Sequence, residues 1–244
     1  MGLNLSVMRK GLPRAVEHFW KAREIAVRNQ QQRGLADRGN RAGVTAGKNL
    51  DGFVQLVRKL IVDNGADESA VFSGRRSYMS IPGFYRPTKS WDLLVVIRGQ
   101  LVAAVEFKSQ IGPSFGNNFN NRVEEALGNA TDLLTAYRDG AFADSARPFL
   151  GYFFVLEESA ESTKPVRFYS PHFGARPEFE DTSYAERYEL LCRKLVQERL
   201  YDAAALVMTP RPGTRRCEYR SCSKLTSPER FAASLAARIA SAVA

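Results

Sequence analysis

Apolar positions recur along this chain in two rhythms, one at helical spacing and one in short unbroken runs, and their order predicts the architecture. Residues 13–32 set Val16, Phe19, Trp20, Ile25 and Val27 among many charges. That predicts an amphipathic helix with Pro13 near its start, in which His18 and Trp20 are packing residues. Phe53, Leu56, Val57, Leu60 and Ile61 predict a second helix over 49–64, with Asn49 as N-cap and Asn64-Gly65 as its stop. Val123, Ala126, Leu127, Ala130, Leu133, Leu134 and Tyr137 form a third stripe ending at Asp139-Gly140, and Tyr184, Tyr188, Leu191, Leu195 and Val196 a fourth. Ser227-Pro228-Glu229 opens a last, alanine-rich helix.

The unbroken runs read as strands. Residues 91–97 and 101–108 are apolar and rich in β-branched side chains, separated by Arg98-Gly99-Gln100. They predict an antiparallel hairpin covered on both faces, with a three-residue loop in which Gly99 takes the positive φ. Residues 148–156 read as a buried central strand with the hairpin strands as neighbours, and 203–208 as a further strand stopped by Pro210 and Pro212. No repeat or linker divides the chain. The pattern predicts a single α/β domain, a mixed central sheet flanked by helices. Residues 1–47 would be a helical N-terminal extension with a basic loop, 48–209 the catalytic core, and 210–244 a basic loop and the final helix.

Composition narrows the class. With 244 residues, 44% apolar and 11% aromatic, the chain can bury a large core. No apolar run approaches the ~20 residues that span a bilayer, and the start lacks a secretory pattern, so a cytoplasmic protein with no membrane partner is expected. Cys192, Cys217 and Cys222 are an odd number, not a disulfide framework, and with His18 and His172 they do not match a zinc-site spacing. Thirty-five Lys and Arg against 26 Asp and Glu give +9, which points to a polyanion, with nucleic acid the leading partner. The cations cluster in three loops: 33–43, the aromatic segment 73–87 with Arg75, Arg76 and Arg86, and Arg211 to Arg220. The second would track a phosphate backbone or pack as an aromatic loop.

Candidate chemistry sits on the hairpin. A three-residue loop sets Asp92 opposite Glu106, with Cβ atoms roughly 5 Å apart. Alternation puts Lys108 on that same face, while Phe107 points into the core. Two facing carboxylates require solvent or a cation between them, and Mg²⁺ suits hard oxygen ligands. The bland alternative is a solvated hairpin end with an ion pair. Downstream, Asn117, Asn118, Asn120, Asn121 and Arg122 gather within six residues. Asn and Arg make bidentate contacts to adenine and guanine edges. The same block also suits a polar turn capping the next helix. Asp51 is either a further acid facing the site or a helix-dipole residue.

An Asp at a strand start followed on the next strand by Glu-x-Lys resembles the PD-(D/E)xK nuclease superfamily, with Trp91 where its proline would be. Val105-Glu106-Phe107-Lys108-Ser109-Gln110 together with the Asn-rich block is similar to the XhoI family of type II restriction endonucleases, over most of the chain. The resemblance implies a restriction-endonuclease-like fold and Mg²⁺-dependent cleavage of double-stranded DNA at the palindrome CTCGAG, leaving 5′-phosphates on staggered 5′ ends. It further implies that Asp92 and Glu106 hold the metal, with the Val105 or Phe107 carbonyl as extra ligands, and that Lys108 positions the water and helps to deprotonate it. A companion DNA methyltransferase would protect host sites. One such hairpin per chain cuts one strand, so a homodimer is expected on a two-fold site. Two rivals stay open at this point: a nuclease of the same superfamily that reads DNA structure, and a DNA-binding protein without chemistry.

Overall fold

A computed structural model describes residues 2–32, 49–74, 76–212 and 218–244. The basic stretch 33–43, Arg75, Arg215, Arg216 and Cys217 lie outside these residues, and Arg76 is described only in its backbone.

Helix α1 spans Ser6–Gln32, so it begins upstream of the predicted start and contains Pro13 in its interior. Val7, Met8 and Leu12 are buried, which extends the apolar stripe back by two turns, whereas His18, Ile25 and Val27 are exposed. Helix α2, Asp51–Asp63, buries the five predicted apolar residues. It stops at Asn64 with Gly65 at φ 109°. Its N-cap is Leu50 rather than Asn49, with no side-chain capping bond.

Strand β1 (Val71–Ser73) leads through a one-turn helix at Arg76–Met79 into a small hairpin, β2 (Ser80–Pro82) with β3 (Thr88–Ser90), in a segment expected to be loop. Then follow β4 (Leu93–Ile97), β5 (Gln100–Gln110), helix α3 (Phe115–Arg138), β6 (Phe149–Glu157), helix α4 (Tyr184–Gln197), β7 (Ala203–Thr209), β8 (Arg220–Ser221) and helix α5 (Pro228–Val243). Strand β8 falls within the expected basic end loop.

The sheet order is β1-β4-β5-β6-β7-β8. Strands β5, β6 and β7 run parallel, and the other pairs are antiparallel. The expectation that both hairpin strands adjoin β6 is corrected. Its neighbours are β5 and β7, because α3 returns the chain to lay β6 parallel to β5 and leaves β4 beyond it. Strand β6 is buried along its whole length.

The sheet separates two apolar clusters. One joins α1, α2 and α5 to Val105, Phe107 and Phe153 on one face. The other joins α3 and α4 to Ala104, Tyr152 and Phe154 on the opposite face. Among the described residues Cys192 and Cys222 are free thiols. No described helix is long and apolar enough to cross a membrane.

Candidate active site

The hairpin reaches its predicted pairing by a different route. Its loop is two residues, Arg98 and Gly99, at φ 52° and 77°, which is the all-positive backbone of a tight hairpin turn. That turn would misalign the pair by one residue. A bulge after Val95 restores the register, so that Val95 pairs with Ala103 and Leu93 with Val105. Val102 and Ala103 accordingly both face the α1 cluster, after which alternation resumes. Continued one pair beyond Leu93 and Val105, this register sets Asp92 across from Glu106, as the longer loop would have done.

Phe107 N–H donates to Asp92 Oδ2 at 2.7 Å, tying the carboxylate to the facing strand. Glu106, only 3% exposed, lies between two ammonium groups. Lys108 Nζ is 2.5 Å from its Oε1 and Lys89 Nζ is 2.6 Å from its Oε2. Burial raises the pKa of Asp92 to about 6, helped by the charge on Glu106, against the pull of Phe107 N–H and the two lysines. Burial also pushes Glu106 up, but Lys108 and Lys89 more than offset it and hold the carboxyl below its ordinary value. For Lys108 burial opposes the charge, yet Glu106, with Asp92 and Glu125 beyond it, keeps the pKa above normal.

Lys89 carries no motif that marks it in the sequence. It comes from β3, rests over the Trp91 ring at 4.3 Å, and its side chain is 11% exposed. The only local hint is its place one residue before Ser90-Trp91-Asp92. Glu125 joins from α3, 3.7 Å from Lys108 Nζ and 2.5 Å from Arg122 Nη1.

The Asn-rich block is the start of α3, not a turn. Asparagine favours helices weakly. Here Phe115 stacks on Tyr184 and Phe119 meets Tyr188 edge-on, with centroids 5.8 and 5.1 Å apart, and these anchors hold the segment helical. Asn117, Asn120 and Asn121 then form an exposed ridge with Glu124. Asn118 instead donates to the Ser114 carbonyl at 2.5 Å. Gln110, buried at the end of β5, donates to the Ile111 carbonyl, and Glu157 accepts from Gly112 N–H at 2.8 Å, so the turn from active strand to ridge is pinned.

One further expectation changes. Asp51 is exposed on α2, which packs on the sheet face opposite Glu106, so it does not join the site. Arg86, its side chain 42% exposed, is anchored to α3. It donates to Asp132 Oδ2 and Asn129 Oδ1, each at 2.7 Å, while Phe84 and Tyr85 N–H donate to Asp132 Oδ1 at 2.8 Å. A Cβ at Gly83 would collide with that carboxylate. Arg86 and Asp132 thus strap the β2–β3 tip to α3.

Asp92 and Glu106 are suitable donors for a hard divalent cation. They are neighbouring carboxylates, and the charge on Glu106 helps to raise the Asp92 pKa; Lys108 and Lys89 now occupy both oxygens of Glu106, so an ion there would displace at least one ammonium. Among the described residues no group of three or more His, Cys, Asp or Glu side chains converges. An ion here would complete its shell with main-chain, water and phosphate oxygens, as Mg²⁺ commonly does.

The family described as restriction endonuclease XhoI matches residues 29–221, a span holding Asp92, Glu106, Lys108 and all of α3. The chain is 50% identical over 190 residues to the type II restriction enzyme BstVI of Geobacillus stearothermophilus, covering 76% of this chain and 84% of that protein. It is 43% identical over 212 residues to the type II restriction enzyme XhoI of Xanthomonas vasicola, covering 87% and 82%. To the type II restriction enzyme AbrI of Azospirillum brasilense it is 48% identical over 173 residues, covering 71% and 77%. No solved structure matches the chain.

Proposed function

From the premise that the chain belongs to the XhoI family of restriction endonucleases, and so is a type II enzyme cutting double-stranded DNA at specific sites, we propose that it cleaves CTCGAG with Mg²⁺ held by Asp92 and Glu106. Family membership removes both rivals, the structure-reading nuclease and the protein without chemistry. The observation that carries the catalytic assignment is the buried Glu106 carboxylate, flanked by Lys108 and Lys89 and registered across from Asp92.

Mg²⁺ bound there supplies Lewis-acid stabilisation of charge developing on the scissile phosphate. Lys108, ion-paired to Glu106 at 2.5 Å before a metal binds, would position the attacking water and help to deprotonate it. Lys89 neutralises Glu106 from the other side and keeps that carboxylate ionised. In-line attack leaves a 5′-phosphate and a 3′-hydroxyl.

Readout falls to the exposed ridge of α3. Asn117, Asn120 and Asn121 have the chemistry to pair with adenine edges, and Arg122 would reach guanine on releasing Glu125. Asn118 serves the helix start instead. Among the described residues there is one such centre, so cutting both strands in one encounter calls for a homodimer on a two-fold site. Any host of the enzyme needs a companion methyltransferase acting on the same sequence.

Incubation of a mapped plasmid with Mg²⁺, followed by run-off sequencing and sedimentation, tests this. Discrete fragments with staggered 5′ ends at CTCGAG and a dimer on DNA are expected. Cutting at another palindrome overturns the site, and a one-to-one monomer complex that cuts both strands overturns the dimer.

A further inference from the structure

Between β6 and α4 the chain makes a protrusion whose neck is fixed and whose crown is apolar. At the neck, Pro165 and Ser183 form an isolated antiparallel bridge and Val166 N–H donates to the Thr182 carbonyl at 2.9 Å. Arg187 closes it further, donating to the Val166 carbonyl at 2.6 Å and to Thr182 Oγ1 at 3.0 Å. The crown carries Phe168, Tyr169 and Phe173, which are 43%, 89% and 83% exposed. Three large rings held in solvent on one short loop are an interaction surface rather than a stray exposed residue.

The charge is divided along this loop. Its outgoing limb and crown, from Lys164 to Arg176, hold Lys164, Arg167 and Arg176 and no acid, while the returning limb carries Glu178, Glu180 and Asp181, and Arg176 is paired to Glu178 at 2.9 Å. Its location adds a second constraint. A cavity of about 520 Å³ separates the neck, at Lys164 and Arg167, from the start of α3, at Ser114 and Asn117. The loop therefore borders the asparagine ridge, and that ridge follows directly from the strand bearing Glu106 and Lys108.

We propose that the 164–176 loop is a second DNA-docking element, which lays its rings against the sugars and bases of the duplex beside the cleavage site and its cations on the phosphates. This deepens the reading of a DNA-cutting enzyme and rests on it. Exposed rings beside Lys164 and Arg167, next to the asparagine ridge, suit a polyanion whose grooves offer sugars and base edges.

The test uses the full chain with Ca²⁺ replacing Mg²⁺, and labelled duplexes with CTCGAG or a scrambled sequence. The double variant Tyr169→Ala/Phe173→Ala should bind both duplexes about tenfold more weakly. Arg167→Ala should flatten the salt dependence by about one phosphate contact. In the wild-type protein, saturating duplex should slow chymotrypsin cutting after Phe168, Tyr169 and Phe173. That measurement stands even if the variant proves unstable. Equal binding by a folded double variant, or chymotrypsin cutting unaffected by duplex, overturns the proposal while the wild-type enzyme still cleaves. An affinity loss that merely follows dissociation of a dimer in sedimentation assigns the loop to a second copy and overturns it too. A wild-type protein that neither binds nor cuts DNA defeats the underlying functional reading, and this proposal with it.

Discussion

Replacing Asp92 with Asn should stabilise the metal-free protein at neutral pH while ending cleavage. Burial, with Glu106 facing it, moves the Asp92 pKa from 3.8 to about 6. In the unfolded chain the group ionises near its ordinary value, whereas the folded protein retains the proton for roughly two further pH units. The folded state therefore binds more protons across that window, and its stability falls as pH rises through about 6. At 1.36 kcal/mol per unit, the ionised carboxylate costs about 3 kcal/mol above that range. Asn cannot ionise, and its carbonyl can still accept from Phe107 N–H. Urea denaturation in EDTA should show the variant more stable by about 3 kcal/mol above roughly pH 7, with the gap closing below roughly pH 4. Added Mg²⁺ should stabilise the wild type alone, because only it retains the pair of carboxylates, and so narrow or reverse the order. A difference that stays flat with pH, or a variant less stable than wild type near pH 8, would refute the reasoning.

Lys108→Ala should abolish cleavage yet keep specific binding in a Ca²⁺ gel shift. Glu106→Ala should also abolish cleavage and in addition lower the urea midpoint, because it strands the Lys89 and Lys108 ammoniums in a largely buried site, at about 3–5 kcal/mol. Asn120→Ala or Asn121→Ala should reduce discrimination between cognate and single-mismatch duplexes by about 1–3 kcal/mol for each bidentate pairing with a base edge that it removes, read by competition binding. Asn118→Ala should leave that discrimination unchanged, since its amide serves Ser114. Asp132→Ala should destabilise the fold by about 2–3 kcal/mol, by orphaning Phe84 N–H, Tyr85 N–H and Arg86. Arg86→Ala should likewise lower stability with little change in the salt slope of DNA binding, and a unit fall in that slope would return Arg86 to phosphate contact.

The sequence by itself determined the α/β class, the helical cores of α2, α4 and α5, strands β4 to β7, and the meeting of Asp92 with Glu106 and Lys108. Each rests on a periodicity that records which face of an element is dry, a property written within the element itself. The hairpin shows how robust that record is. The turn is one residue shorter than expected, yet the bulge after Val95 restores the same register, because any other would bury Glu106 with the wrong face. Tertiary structure alone decided what depends on distant partners. Phe115 and Phe119 turn the asparagine block helical only because Tyr184 and Tyr188 stand opposite them. Asp51 is carried away from the site by packing of α2 on the far side of the sheet. Lys89 meets Glu106, and Arg86 meets Asp132, across 17 and 46 residues of chain. A buried charge must find a counter-charge wherever the fold delivers one, and spacing along the chain holds no trace of that delivery.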